Sequence, residues 1–184
     1  RACLDPELQV IFEHGNEIWN TAPPFVVGHR WCAEQGRRRG LRARDFVPSW
    51  DDGTNDMARA RIYHGLRTAE LGAVFEAVLG DERVVVALGG FVGDDYFGRL
   101  ELAAAQKGGG VEALAIAPYF GGEPSAKLGE VDDDRMVELV EASFREMLDG
   151  IDRSARLAKA YRVPLIAYEG GAHLVPPGEF DEPT

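Results

Sequence analysis

The run VVVAL at residues 84–88, followed by Gly89 and Gly90, has no polar residue on either face. Continuous apolar runs of this length are typical of strands that are covered on both sides in a parallel sheet. Similar runs lie at residues 9–12, 113–117 and 163–167. The sequence therefore predicts four parallel strands.

Helical patterns separate these runs. Apolar residues recur every three to five positions between residues 62 and 78, and a longer pattern covers residues 132–162. Gly150 is expected to kink or split that longer helix. A shorter helix is expected from about residue 95 to residue 106. Residues 21–53 show no period, so we predict a long irregular insertion between the first strand and the next helix.

Strands and helices alternate along the whole chain, which predicts the α/β class with right-handed crossovers. Two architectures compete, an open doubly wound sheet and a (β/α)₈ barrel of the TIM type. No strand is followed by the glycine-rich loop of dinucleotide-binding sheets, and this favours the barrel. A full barrel takes about 250 residues and eight strands. We therefore expect residues 1–184 to form one partial barrel domain, with residues 176–184 as a surface loop or tail.

Charge and composition exclude several classes of partner. The chain has 184 residues with 20 basic and 31 acidic side chains, a net charge of −11 that repels a nucleic acid backbone. No apolar run reaches the roughly 18 residues that a membrane span needs. We expect neither nucleic acid nor a membrane as a partner. Cys3 and Cys32 fit either two thiols or one disulfide bond, and the compartment stays open.

Polar residues follow the predicted strands where chemistry gathers in parallel α/β folds. The segment EHGNEIWN at residues 13–20 follows the first strand, and YEGGAH at residues 168–173 follows the fourth. Tyr119 follows the third strand. Two strands thus end near a glutamate, and a facing pair of carboxylates is what glycoside hydrolysis requires.

These motifs resemble clan GH-A of the retaining glycoside hydrolases. The resemblance rests on Asn16-Glu17 after one strand, Tyr119 after a later strand and Glu169 after the next. Within the clan the chain is most similar to bacterial glycosidase-like barrel proteins with N-E-I-W-N and Y-E-G-G-x-H segments. The likeness extends from about residue 9 to residue 175. It implies that the four runs are strands four to seven, the second half of a barrel.

The resemblance also implies a role for each matching residue. Glu17 would be the general acid and then the base, and Glu169 the nucleophile. Asn16 would donate to the sugar 2-hydroxyl, and Tyr119 would hydrogen-bond the nucleophile. A retaining pair stands about 5–5.5 Å apart, so that the charge of the nucleophile helps to keep the acid protonated.

Aromatic and histidine residues complete the predicted site. Trp19 and Trp50 are candidate platforms for sugar rings, and His173 is a further candidate for substrate contact. His14 could meet His173 in the same pocket and orient groups there. None of the histidines has metal-ligand spacing, so that no metal and no cofactor is expected.

Two other functions stay open at this point. The chain could be a carbohydrate-binding barrel protein without catalysis, or a metal-dependent hydrolase on the same fold. In each reading the missing strands leave sheet edges unpaired. We therefore expect the other half of the barrel to come from the same parent protein or from another chain.

Overall fold

The structure is a computed structural model that describes Asp5, residues 7–51 and residues 53–173. Strands and helices alternate along these residues. The strands are β1 (Val10–Glu13), β2 (Val84–Gly90), β3 (Ala113–Ile116), β4 (Tyr119–Phe120), β5 (Leu165–Ala167) and β6 (Gly171–Ala172). The helices are α1 (Val26–Arg38), α2 (Asp56–Leu79), α3 (Asp95–Lys107), α4 (Gly122–Ser125) and α5 (Asp133–Ala160), with short 3₁₀ turns at Ala43–Asp45 and Asp81–Arg83.

The main sheet has four parallel strands in the order β1-β2-β3-β5. Phe12 pairs with Val86 and Leu88 with Leu114 in its register. The predicted α/β class and all four parallel strands are confirmed, with ends that shift by a few residues. A second, two-stranded parallel sheet joins β4 to β6, which the sequence did not predict.

Three long helices pack on one face of the main sheet. Val86 and Leu88 point to this face because residues two apart in a strand share a side. Val86 faces α2, where a Cβ atom on Gly72 would lie 2.6 Å from the valine side chain. Leu88 packs in a core cluster with Leu102 of α3 and Leu157 of α5. The apolar core therefore lies between the sheet and α2, α3 and α5.

The opposite face of the main sheet is built from small residues. Ala87, Ala113 and Ala115 form a buried cluster there, bordered by Val85, Ile166 and Tyr168, and this cluster contains no helical residue. Helices thus cover one face among the described residues, and the strand order follows the chain without reversal. A doubly wound sheet differs in both respects.

The prediction of an irregular segment at residues 21–53 is wrong for a large part of it, since α1 lies inside it. This helix carries no side-chain cap at Phe25 and no acidic residue in its first turn, so the usual start signals are missing. Cys32 and Ala33 pack instead against Ala60 and Tyr63 of α2. Tertiary packing stabilises α1 where local signals are weak.

α5 continues through Gly150 without a split. A Cβ atom on Gly150 would lie 3.2 Å from Val92, in the loop after β2. The glycine therefore permits close approach of a helix and a loop. The predicted tail at residues 176–184 and Cys3 lie outside the described residues, whereas Cys32 is a free, buried thiol. No helix in the described part of the chain is long and apolar enough to span a membrane.

Candidate active site

The loop after β1 holds Glu17 in a constrained position. Glu17 has a positive φ of 49°, which is rare for a residue with a side chain, and it is only 8% exposed. The Asn20 side-chain amide donates to Glu17 Oε2 at 2.9 Å, and the Asn20 backbone N–H donates to the Glu17 carbonyl at 2.8 Å. Strained backbone with a held side chain is common at functional sites.

Two buried histidines contact backbone carbonyl groups of this loop. His64 Nε2 lies 2.9 Å from the carbonyl oxygen of His14, and His29 Nδ1 lies 3.0 Å from that of Ile18. Both histidines are buried on helices, His29 on α1 and His64 on α2. The position of Glu17 therefore depends on helices that are distant in sequence.

Glu169 reaches the same region through the small sheet of β4 and β6. The Gly171 N–H donates to the Pro118 carbonyl at 3.1 Å, and the His173 N–H donates to the Phe120 carbonyl at 2.7 Å. A Cβ atom on Gly170 would lie 3.0 Å from the Pro118 oxygen, and its φ of 158° also suits glycine. The pairing brings the loop after β5 against the loop after β3.

These loops enclose a cavity of about 440 Å³, which we call the glutamate cavity. Its lining consists of Glu17, Trp19, Asn20, Phe25, Tyr119, Gly122, Glu169 and His173. The structure thus brings together five residues that the sequence predicted for the site. The volume falls within the range of small-molecule sites.

Two predicted site residues lie elsewhere. Trp50 is 4% exposed in a hydrophobic core with Ile62 and Leu100, and its indole N–H donates to the Gly53 carbonyl at 2.9 Å. The predicted sugar platform is therefore wrong for Trp50, because burial in the core leaves no ring face for a ligand. Asn16 is exposed and does not line the cavity.

Asn20, which was not predicted for the site, lines the cavity and donates to Glu17. Gly15 and Glu17 both have positive φ, so the chain turns sharply around Asn16. The turn brings Asn20 back against Glu17, three positions earlier in the chain. Phe25 and Gly122 also line the cavity and had no signal in the sequence.

The tyrosine beside the glutamates is electrostatically coupled to them. The pKa of Tyr119 is raised, first by loss of water around the hydroxyl and then by the charge of Glu169 and hydrogen bonding to it. Glu17 adds a smaller contribution. The Tyr119 and His173 rings meet edge to face, with centroids 5.4 Å apart. The phenol therefore keeps its proton at neutral pH and can donate a hydrogen bond.

A third glutamate lies beneath these groups. Glu13 ends β1 and its Oε1 atom is buried without a hydrogen-bond partner among the described residues. Burial raises the pKa of Glu13, the nearby charge of His64 opposes that shift, and the charges of Glu169 and Glu17 reinforce it. A Cβ atom on Gly89 would lie 2.1 Å from Glu13 Oε1, so the glycine makes room for the carboxyl group.

Behind Glu13 lies a group of charged residues that we call the buried ion network, formed by Arg61, His64, Asp94 and Glu101. Arg61 donates to Glu101 at 3.0 Å and to Asp94 at 2.7 Å. His64 Nδ1 lies 2.5 Å from Glu101 Oε1. His64 is therefore a structural residue in this network.

His14 does not join His173 in the cavity. The centroid of its ring lies 5.6 Å from that of His64 and 6.4 Å from that of Trp31. Burial, then the charges of His64 and Arg67, lower the pKa of His14 to about 4. Within the described residues no group of three or more His, Cys, Asp or Glu residues could hold a metal ion.

Trp19 forms an aromatic wall of the cavity. Its ring packs against Phe91, with centroids 4.6 Å apart, and its indole N–H is buried without a hydrogen-bond partner in the described part of the chain. Burial also raises the pKa of Tyr168, which lies next to Trp19. The two carboxyl groups of this cavity can transfer protons, and one of them can attack an electrophilic carbon of a bound ligand to form an ester. The phenol can donate a hydrogen bond, and the aromatic rings can contact apolar parts of the ligand.

Comparisons with known proteins add no assignment, since no family model, no curated protein and no solved structure matches this chain.

Proposed function

We propose that the chain carries the catalytic site of a retaining glycoside hydrolase that acts on an oligosaccharide or polysaccharide. One observation carries the proposal: Glu17 and Glu169, which follow different strands, line one cavity together with Tyr119. Retaining hydrolysis needs two carboxyl groups on either side of one glycosidic bond. The resemblance of the motifs to clan GH-A supports the same assignment.

Each glutamate has its own role in two steps. Glu17 gives its proton to the glycosidic oxygen while Glu169 attacks the anomeric carbon, so that the bond to the leaving alcohol breaks and a glycosyl ester forms. Ester formation removes the charge of Glu169. Glu17 then takes a proton from water, and the resulting oxygen nucleophile releases the sugar from Glu169.

Tyr119 positions the nucleophile. The charge of Glu169 and hydrogen bonding to it both raise the pKa of Tyr119, which is the direction expected when a phenol donates to a carboxylate. This hydrogen bond orients one carboxylate oxygen and leaves the other for attack. Asn20 holds Glu17 in the same way at the other side of the cavity.

The lining supports a sugar without negative charge as the substrate. Trp19, Phe25 and Tyr119 offer aromatic surface, and no described Lys or Arg lines the cavity. Aromatic rings suit the apolar faces of sugars. An anionic sugar would meet two glutamates without a compensating cation.

For the fold we propose part of a (β/α)₈ barrel, with β1, β2, β3 and β5 as strands four to seven. Support comes from the sequential strand order and from helices on one face only. β1 and β5 each have one neighbour in the described sheet, and Ile11 of β1 is 63% exposed. We propose that further strands, from the same parent protein or from another chain, continue the sheet.

Size-exclusion chromatography with light scattering tests this completion. The chain of residues 1–184 on its own is expected to associate or to melt without a cooperative transition. A compact monomer with a sharp melting transition would contradict the proposed half barrel.

Azide rescue tests the two catalytic roles in the parent protein, on a panel of aryl glycosides with good and poor leaving groups. Glu17→Ala is expected to keep activity only on activated leaving groups, and added azide should give a glycosyl azide of retained configuration. Glu169→Ala should give an azide of inverted configuration. Either loss of activity is expected to be about 100-fold or more on poor leaving groups.

Glu138→Gln is the matched control, because this exposed glutamate on α5 pairs only with Arg135. It should leave turnover unchanged. Binding of oligosaccharide without turnover by the wild-type protein would favour the carbohydrate-binding alternative, and loss of turnover with a chelator would favour a metal-dependent hydrolase.

A further inference from the structure

A second cavity, separate from the glutamate cavity, lies between α3 and α5. It has a volume of about 330 Å³ and shares no lining residue with the first. Its lining consists of Asp95, Tyr96, Arg99, Arg153, Arg156 and Leu157. Three guanidinium groups against one carboxylate leave two positive charges at one place in a chain with a net charge of −11.

The three arginines form no ion pair with a described carboxylate, although each has an aspartate four positions before it on its own helix. Those aspartates are Asp95, Asp149 and Asp152. An acidic residue four positions before a basic one is the favourable order for helical pairing. Elsewhere the same spacing does pair, as in Glu34 with Arg38 and Glu141 with Arg145.

The wall that carries Arg153 is held in place by the loop after β2. Arg153 Nε donates to the Gly93 carbonyl at 3.2 Å, and the Gly93 N–H donates to Ser154 Oγ at 2.9 Å. Gly93 has a φ of 78°, and a Cβ atom there would lie 2.6 Å from Arg153 Nη2. Asp94 fixes the other end of the loop by accepting from Arg61. One guanidinium is therefore positioned before any ligand arrives.

The opposite wall is the first turn of α3 and the residues after it. Asp94 caps this helix by accepting from the Phe97 N–H at 3.0 Å. The Arg99 backbone carbonyl accepts from the Tyr161 hydroxyl at 2.8 Å, which ties α3 to the end of α5. The start of a helix favours negative charge, and the Arg99 side chain stays exposed beside it.

We propose that this arginine cavity, lined by Arg99, Arg153 and Arg156, binds a phosphate group. A guanidinium group can donate two N–H groups to a pair of phosphate oxygens. A dianion also matches the excess of two positive charges among the lining residues. The volume leaves room for a small organic group attached to the phosphate. Tyr96 and Leu157 would line that part of the ligand. This inference does not depend on the proposed hydrolase.

Isothermal titration calorimetry with inorganic phosphate tests the site, with chloride at matched ionic strength as the reference. The double variant Arg99→Gln/Arg156→Gln is expected to weaken phosphate binding at least about tenfold, since two charge-assisted contacts with the phosphate are lost. Arg135→Gln/Arg145→Gln is the matched control, because it removes two exposed charges from α5 outside the cavity.

The control should bind phosphate within about twofold of the wild-type protein. Circular dichroism melts of both variants verify that they fold. Equal weakening in both double variants, or no phosphate binding beyond that of chloride by the wild-type protein, would overturn the proposal. A hexose 6-phosphate arm identifies the source: tighter binding than inorganic phosphate indicates a phosphorylated metabolite, and equal binding indicates the free ion.

Discussion

The glutamate cavity and the buried ion network both contain several acidic side chains, but the partners of these side chains differ. Glu101 is fully buried, and its two oxygens face Arg61 and His64. Glu17 is nearly as buried, but among the described side chains its carboxyl group accepts only from the neutral amide of Asn20. Glu169 forms no ion pair with any described base.

The difference separates structural carboxylates from reactive ones. A buried carboxylate whose two oxygens contact an arginine and a histidine is committed to those partners, because moving it would leave buried polar groups unpaired. A carboxyl group beside neutral donors is free to gain, lose or share a proton. A buried acidic residue therefore indicates a catalytic role only when its hydrogen-bond and ion-pair partners leave its proton free to move.

The largest expected effect comes from breaking the network. Glu101→Gln should lower the free energy of unfolding by about 3–5 kcal/mol, because Arg61 and His64 lose a buried charged partner. Glu169→Gln should change it by less than about 1 kcal/mol, since this side chain is exposed. Urea denaturation of the parent protein near neutral pH measures both, as in the denaturation experiments that follow. Similar losses in the two variants would remove the distinction between the clusters.

Two tryptophans offer the same contrast. Trp50→Phe should cost about 2 kcal/mol of stability, because it leaves a core void and an unpaired Gly53 carbonyl. Trp19→Phe should cost less than about 1 kcal/mol but weaken oligosaccharide binding. Urea denaturation and fluorescence titration with neutral oligosaccharides measure these effects. If Trp50→Phe weakens binding more than Trp19→Phe, the assignment of the two rings is reversed.

His14 lies between the loop that carries Glu17 and His64 of the buried ion network, so its burial can be tested by lowering the pH. Its pKa is about 4 in the folded chain and near 6.5 in an unfolded one, so between these values the unfolded chain binds more protons. Folding stability therefore falls as the pH drops from 6.5 to about 4. His14→Gln should lose less stability over this window than the wild-type protein, as followed by urea denaturation. Parallel pH profiles would contradict the burial of His14.

The smallest expected effect is at Glu17 itself. Its positive φ costs about 1 kcal/mol, and asparagine tolerates this conformation better than glutamine does. Glu17→Asn should therefore be more stable than Glu17→Gln by up to about 1 kcal/mol, while both lose turnover. Thermal melts compare the pair, and a less stable Glu17→Asn would argue against backbone strain at this position.

Much of the fold was accessible from local signals. The four apolar runs predicted β1, β2, β3 and β5, and the helical patterns predicted α2, α3 and α5. α1 was not predicted, because it lacks a side-chain cap and is stabilised by packing on α2. The pairing of β4 with β6 was not predicted, because strands of two residues are too short to show an alternating apolar pattern.

The candidate site was predictable in part. Glu17, Tyr119 and Glu169 were expected together because carboxyl ends of parallel strands share one edge. Asn16 and Asn20 could not be ranked, since two residues with positive φ decide which side chain turns inward. Trp50 lies in a segment without a pattern, and nothing local distinguishes a core ring from a cavity ring there.

Apolar runs, helical periods and capping residues in the amino-acid sequence determined the α/β class, the parallel strands and the strand ends that carry the acidic groups. These features depend on neighbours within a few positions. Tertiary structure alone decided that Glu101 contacts Arg61 and His64, that Asn20 donates to Glu17, and that three arginines gather between α3 and α5. The reason is that a side chain's charge partners come from distant segments, which only packing brings together.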